Sequence, residues 1–164
     1  MEVTVTATGV DTAARRLDAL GKAVKVAMKR ATSRAMDLAE REIKNRLRLK
    51  SHMFGTPTPS RPGEPPALIS GTMMRSVHAD GPPRWVDRWT IVGKVSPHAV
   101  QSRIQELGGF VRVGNRGRIG PQTRENYAYL PPRPYVAPAR RLVGPKVERI
   151  FAEELAKAVA SVGG

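Results

Sequence analysis

The stretch that decides the fold is residues 11–47, which read DTAARRLDALGKAVKVAMKRATSRAMDLAEREIKNRL. Asp11 or Thr12 can accept the free amide hydrogens of a helix start. The apolar residues that follow recur at spacings near three and four, the pattern of an amphipathic helix; they are Leu17, Leu20, Val24, Met28, Ala31, Ala35, Leu38, Ile43 and Leu47. This pattern predicts about ten helical turns, more than a small domain needs to cover its own sheet, so we expect part of the helix to pack on another subunit. A break near Gly21 or Thr32 would instead give two shorter helices.

Four short strands are predicted outside this helix. Residues 3–7 and 89–95 alternate apolar and polar side chains, and residues 110–113 and 127–130 are short runs that end at glycine- or proline-containing segments. We expect the strands to form a small antiparallel sheet of three to four strands.

Two further helices complete the predicted order. A short one has a cap at Ser96 and Pro97 in its first position, carries Val100, Ile104 and Leu107 on one face, and ends at residues 108–109, a glycine pair. A closing helix starts at about Pro138 and has apolar residues at helical spacing, namely Val143, Val147, Ile150, Phe151, Leu155 and Val159. The fold class is therefore α+β, with the sheet packed by a long N-terminal helix and a C-terminal helix.

Two segments of the chain read as loops. Residues 51–66 contain five prolines and two glycines, which predicts an extended, proline-rich arm. Residues 114–126 form a predicted mobile loop rich in arginine and glycine. We expect both to be exposed in the monomer and ordered by neighbours. At 164 residues, the chain is expected to be a single domain spanning residues 1–164.

The composition favours a polyanionic or acidic partner. The chain carries 28 Lys and Arg against 14 Asp and Glu, a formal net charge of +14, which favours nucleic acid or acidic protein surfaces. It has no cysteine, which excludes disulfides and thiolate chemistry. No signal peptide or membrane-spanning run is visible, so we expect the protein to stay in the compartment where it is made. Aromatic residues make up only 5%, so the core should be thin.

Residues that carry chemistry form no pattern that an enzyme or a metal site needs. His52, His78 and His98 are far apart in sequence and lack the spacing of a helical zinc site. The glutamate pairs 40/42 and 153/154 are not spaced to converge on one atom. The glycine-rich loop 114–120 lacks the Gly-Lys-Ser/Thr ending of a phosphate-binding loop. We therefore predict no catalysis, no cofactor and no metal.

Four arginines in and around the second loop are candidates for contact with phosphate, because guanidinium groups suit phosphate oxygens; they are Arg112, Arg116, Arg118 and Arg124. The competing interpretation is an ordinary solvated loop. It is favoured by the lack of stacking aromatic residues and of any helix-turn-helix or zinc-finger pattern.

Three segments in a fixed order carry a family resemblance. They are PGEPP at 62–66 with GTMMRSV at 71–77, IQELGG at 104–109, and LPPRPYVAPA at 130–139. Together they resemble the tail-component family of long-tailed phages, which are neck or tail-completion proteins, over about residues 20–160. They are also similar to the virion-morphogenesis proteins of contractile-tailed phages. Met73 stands where the family usually has Leu, and Leu107 where it usually has Phe.

The resemblance implies a structural virion protein, located in the tail or neck after assembly in the host cytoplasm. It would form a homo-oligomeric ring at the head-proximal end of the tail, as a neck, tail-completion or tail-terminator protein, joining the tail tube protein to the head connector. The candidate assembly residues within the segments are Arg75, Glu106, Arg133 and Tyr135. Non-specific contact with packaged DNA is a further expectation. The alternative function is a stand-alone basic protein that binds nucleic acid.

Overall fold

A continuous helix, α1 (Val10–Arg48), dominates the computed structural model, which describes residues 10–49, 60–67, 70–112 and 127–163. Its 39 residues correspond to about 58 Å at 1.5 Å per residue. The helix continues through Gly21 and Thr32, where the threonine hydroxyl donates to the carbonyl oxygen of Met28 at 2.8 Å. The single long helix is therefore confirmed, and the interpretation as two helices is wrong.

The second long helix, α4 (Val136–Gly163), packs antiparallel to α1. Ile43 near the end of α1 shares a core cluster with Ala139 near the start of α4, whereas Arg34 further back contacts Glu154 further on. The helix begins two residues before the predicted Pro138, and Pro145 lies inside it.

The core lies where the end of α1 meets the start of α4. Its buried residues are Ile43, Leu47, Val77, Tyr135 and Ala139. Four partly buried residues pack around them, two methionines from a short helix at 72–75 and two valines; these are Met73, Met74, Val95 and Val136. The core is small, as its composition predicted, but a tyrosine lies at its centre.

The remaining elements are short, and in chain order they are α2 (Thr72–Arg75), β1 (Val77–Ala79), β2 (Arg84–Trp85), β3 (Ile91–Val92), β4 (Val95–Pro97), α3 (Ser102–Leu107), β5 (Gly109–Arg112) and β6 (Tyr127–Leu130). In the part of the chain that the structure describes, the strands pair as three two-stranded antiparallel sheets, β1 with β4, β2 with β3, and β5 with β6. The α+β class is confirmed, with the sheet divided into three pairs.

The middle of the chain differs most from the prediction. Residues 89–95 do not form one strand, because β3 and β4 belong to different sheets and are separated by Gly93 and Lys94. Ser96 and Pro97 lie in β4 rather than at a helix start. Helix α3 begins only at Ser102. The predicted apolar face of this helix is also wrong, since Val100 lies outside it and is 99% exposed. The predicted strand at residues 3–7 lies outside the described residues.

The proline-rich segment is partly packed on the body. Ser60 and Pro66 are buried, and the amide of Gly63 donates to the carbonyl oxygen of Pro132 at 2.9 Å. The expected exposure of the arm is thus wrong for Ser60 and Pro66, whereas residues 61–63 are exposed. The bond from Gly63 holds this segment against the residues between β6 and α4. Residues 51–59 lie outside the described part. None of the helices in the described ranges is long and apolar enough to cross a membrane.

Candidate assembly and binding surfaces

Glu106 of α3 caps the start of α4. Its Oε2 accepts hydrogen bonds from the amides of Tyr135 at 2.8 Å and Val136 at 3.0 Å, and its Oε1 accepts one from Ala137 at 2.8 Å. A carboxylate at a helix N-terminus satisfies free amides and interacts favourably with the helix dipole. One sequence signal points to such a cap, because the residue before α4 is a tyrosine and cannot serve as an N-cap.

Arg133 lies in the buried segment that leads into α4. The residue is 8% exposed, and its Nε donates to the carbonyl oxygen of Ser60 at 3.0 Å. Its backbone amide donates to the carbonyl oxygen of Gln105. Arg133 therefore joins the proline-rich segment and α3 to the start of α4 within one subunit.

Tyr135 is fully buried in the core, and neither its hydroxyl nor the Oγ of Ser102 has a hydrogen-bond partner of good geometry among the described residues. Burial raises the pKa of the Tyr135 phenol above its ordinary value. Both side chains are buried and pack within their own subunit in the described part of the chain, and the assembly role of Tyr135 and Arg133 stays a prediction. Glu106 likewise serves the chain's own backbone.

Arg75 is the remaining member of the predicted assembly set, and it is exposed at the end of α2. Among the predicted phosphate contacts, Arg112 is exposed on β5. Arg116, Arg118 and Arg124 lie outside the described residues. The structure therefore does not bring these arginines together as one described site, and both roles stay predictions.

An apolar groove runs between α1, α4 and the β3–β4 segment, with a volume of about 550 Å³. Arg140 and Glu148 are charged residues in its lining, and neither forms an ion pair with another described residue. The other lining residues are small or apolar apart from Thr32; they are Ala35, Met36, Ala39, Ile43, Ile91, Gly93, Val95, Val136, Ala139, Val143, Gly144, Val147 and Phe151.

A second apolar surface is the tryptophan hairpin, which is β2, β3 and the turn between them (84–92). Trp89 is 66% exposed and Val86 is 63% exposed, while Trp85 lies on β2 beside them. The turn is well ordered, because Asp87 Oδ1 accepts from the amides of Trp89 and Thr90 at 2.7 Å each. These amide hydrogen bonds lower the pKa of the Asp87 carboxyl. The hairpin thus holds large apolar side chains in solvent.

The first turns of α1 are a third exposed surface. Every residue from 11 to 19 is exposed, including Leu17 at 68%. Further along α1, Lys25, Lys29 and Arg30 are exposed and form no ion pair with another described residue. This end of the helix therefore combines uncovered apolar and positive groups.

The fold brings together two histidines, His78 and His98, that are far apart in sequence. The rings of His78 and His98 stack with centroids 4.1 Å apart, and His98 Nε2 lies 2.9 Å from Asp80 Oδ1. Asp80 Oδ2 also contacts Lys94 Nζ at 2.7 Å and accepts from the Ser96 hydroxyl. The Lys94 ammonium, followed by that hydroxyl, holds the pKa of Asp80 at about 2. Pairing of β1 with β4 brings these two rings together, although they are 20 residues apart in sequence.

The adjacent glutamates of α4 contact the same guanidinium but through different nitrogen atoms, so they do not meet on one atom. Arg34 Nη1 contacts Glu154 Oε1 at 2.6 Å, and its Nη2 lies 3.7 Å from Glu153 Oε2. One guanidinium is long enough to reach both carboxylates across the interface between the helices. Lys157 and Arg34 lower the pKa of Glu154. This cluster joins α1 to α4 and places no free carboxylate beside a cavity.

In the described ranges, no group of three or more histidine and acidic side chains could hold a metal ion. Comparisons with family models, with curated proteins and with solved structures find no match to this chain. The phage-tail family therefore stays a prediction that rests on the three sequence segments.

Proposed function

We propose that this protein is a structural subunit of a homo-oligomeric ring at the head-proximal end of a phage tail. The observation that carries the proposal is the presence of two unlike apolar surfaces on one chain, the protruding tryptophan hairpin and the concave apolar groove. Exposure of a tryptophan side chain to solvent is energetically unfavourable in a monomer. Tryptophan is also among the residues most enriched at binding hot spots of protein interfaces.

Two unlike surfaces favour a ring over a symmetric pair. When the hairpin of one copy enters the groove of the next, the contact is heterologous, and repeated heterologous contacts close into a ring if the rotation between subunits permits. The 39-residue α1 has free apolar surface at its first turns, including Leu17, and can add to the same contact or to the next ring.

The charges around the two surfaces are complementary. The hairpin turn carries Asp87 and Arg88, and the groove carries Arg140 and Glu148, which have no ion-pair partner among the described residues. The side chains of Arg140 and Glu148 are eight residues apart on α4, a separation of about 12 Å along the axis. Opposite charges at such positions fix the register of a contact more than they add to affinity.

The order of the proline-rich, IQELGG and LPPRPYVAPA segments supports a place for the ring in the tail. In this proposal the segments shape the subunit: Arg133 and Glu106 anchor the start of α4, so that the groove and the hairpin keep fixed positions. The partners would be the head connector and the tail tube protein. No bond is made or broken.

The ring is tested by sedimentation velocity on the purified chain over a range of concentrations. We expect a closed oligomer at high concentration. Trp89→Ala removes the hairpin anchor and should weaken association by about tenfold or more. Val100→Ala, at a residue that is 99% exposed and lies outside both surfaces, should leave association unchanged.

A mixing experiment tests the heterologous geometry. Gly144→Leu fills the groove without a local clash, because a Cβ at Gly144 meets no atom within 4 Å. Neither Trp89→Ala nor Gly144→Leu alone should form rings. An equimolar mixture should form dimers, since the intact hairpin of one variant fits the intact groove of the other. Wild-type protein that stays monomeric at high concentration and is absent from purified virions would contradict the proposal.

The alternative function, a basic protein that binds nucleic acid on its own, is favoured by the unpaired Lys25, Lys29 and Arg30 on α1. It predicts tight binding of duplex DNA by the monomer. A DNA titration at several salt concentrations separates the two functions, because each phosphate contact steepens the loss of affinity with added salt. The ring proposal expects weak, non-specific binding.

A further inference from the structure

A small cavity, open to solvent on one side, lies beside Arg133. Its volume is about 220 Å³, and residues of the proline-rich segment, α2 and α3 line it. Ser60 and Arg133, which line it, are 5% and 8% exposed. The lining also includes the hydroxyls of Ser70 and Thr72 and the side chain of Gln105.

Only some polar groups of this cavity are satisfied by the described residues. The Ser70 and Thr72 hydroxyls hydrogen-bond to each other at 2.9 Å, whereas Ser60 Oγ and Gln105 Oε1 are buried and have no hydrogen-bond partner among the described residues. The Arg133 side chain makes one hydrogen bond to described residues, from Nε to the Ser60 carbonyl oxygen, and no ion pair with them. Buried polar groups are almost always paired, so unpaired ones around a cavity point to a ligand.

The charge of the cavity is positive. None of the described residues that line it is acidic. The nearest glutamate in sequence to Gln105 is Glu106, and its two oxygens are taken by the amides at the start of α4. A guanidinium with little exposure and no counter-charge is unfavourable, so the ligand that suits this cavity is an anion.

We propose that this cavity binds a single carboxylate group, held by the Arg133 guanidinium and the Ser60 hydroxyl. The planar fork of a guanidinium matches a planar carboxylate. Among the described lining residues Arg133 is the one cation, which balances one negative charge and leaves a doubly charged phosphate undercompensated. The volume is below that of a drug-sized site, so the bound group is small. It comes either from a free small carboxylic acid or from an acidic side chain of a docked protein. The site does not depend on ring formation.

The experiment measures thermal unfolding of the full chain, diluted to the monomer, in sodium acetate and in sodium chloride at equal ionic strength. A ligand that binds only the folded state raises the midpoint with its concentration. We expect acetate to raise the midpoint in a saturable way above the chloride reference. Inorganic phosphate should have a smaller effect at the same concentration.

Three variants decide which residues carry the effect. Arg133→Gln should weaken acetate binding by about tenfold or more, from the loss of a charged hydrogen bond. Ser60→Ala keeps the carbonyl that Arg133 Nε contacts, so it should leave the unliganded midpoint unchanged and still weaken acetate binding severalfold. Arg103→Gln removes the same charge from an exposed position of α3 and should bind acetate like the wild type.

Two peptides distinguish the sources of the carboxylate. They are N-acetyl-Gly-Glu-Gly-amide and its glutamine counterpart. Binding of the glutamate peptide but not the glutamine peptide supports an acidic side chain, and binding of acetate alone supports a free acid. The proposal is overturned if neither acetate nor the glutamate peptide raises the midpoint, if phosphate binds more tightly than both, or if Ser60→Ala and Arg133→Gln respond to acetate as the wild type does.

Discussion

Replacing Glu106 by glutamine tests whether its carboxylate caps the N-terminus of α4. The wild-type side chain accepts three amide hydrogen bonds at 2.8–3.0 Å. The glutamine oxygen can still serve Tyr135 and Val136, but these become neutral bonds, worth about 1 kcal/mol rather than about 1.5–3 kcal/mol. The amide group cannot accept from Ala137, and the favourable interaction with the helix dipole, about 0.5 kcal/mol, is lost.

Taken at their lower ends, these losses predict that Glu106→Gln lowers the free energy of unfolding by about 3 kcal/mol, or about 6–12 °C in midpoint for a chain of this size. Urea denaturation followed by far-ultraviolet circular dichroism measures this change, because α1 and α4 dominate the helical signal. The matched control is Glu40→Gln, which removes an ion pair with Lys44 along α1. It should lower the free energy of unfolding by at most about 0.5 kcal/mol. If the two variants lose the same stability, the carboxylate does not act as a cap.

Three further predictions address packing and pH. Gly93→Ala places a Cβ 2.8 Å from Met36 Cγ and should cost about 1–3 kcal/mol in urea denaturation, whereas Gly144→Ala, with open space around it, should stabilise by up to about 1 kcal/mol. Asp80 has a pKa of about 2 against an ordinary 3.8, so its contribution to stability is present above pH 4 and is lost as the pH falls toward 2. In Asp80→Asn the urea midpoint should therefore depend less on pH between 4 and 2 than in the wild type. The same dependence on pH in both proteins would refute the assignment. Tyr135→Phe removes a buried hydroxyl that has no partner and should stay within about 1 kcal/mol of the wild type in the same assay.

The elements predicted correctly are those whose signals are local. Helix α1 follows from its own apolar periodicity, and β6 has the predicted bounds of Tyr127–Leu130 because prolines end it. Strands β1 and β2 have three and two residues, too few for any period to be visible. Ser96 and Pro97 read locally as a helix start, but Pro97 is paired with Val77 of β1, and this long-range pairing overrides the local signal.

The candidate sites were less accessible from sequence, because their contacts span long separations. The bond from Arg133 to Ser60 joins residues 73 positions apart, and those from Glu106 reach about 30 positions. Both residues lie in the sequence segments that carry the resemblance, but the sequence could not show that their side chains face inward. The two surfaces of the proposed ring were missed, since a two-residue strand pair carries the tryptophan hairpin and three separate elements line the groove.

The net charge of +14 gives the two proposed functions opposite responses to salt. Copies of a strongly basic chain repel each other, so self-association through apolar surfaces such as Trp89 should strengthen as salt rises and screens that repulsion. Binding of DNA to Lys25 and Lys29 should weaken over the same range, because counterions compete for the phosphates. Sedimentation velocity with and without a short duplex, at about 50 and 300 mM salt, therefore measures both. A ring that forms only at low salt, and only when the duplex is present, would mean that DNA rather than the hairpin and groove holds the subunits together.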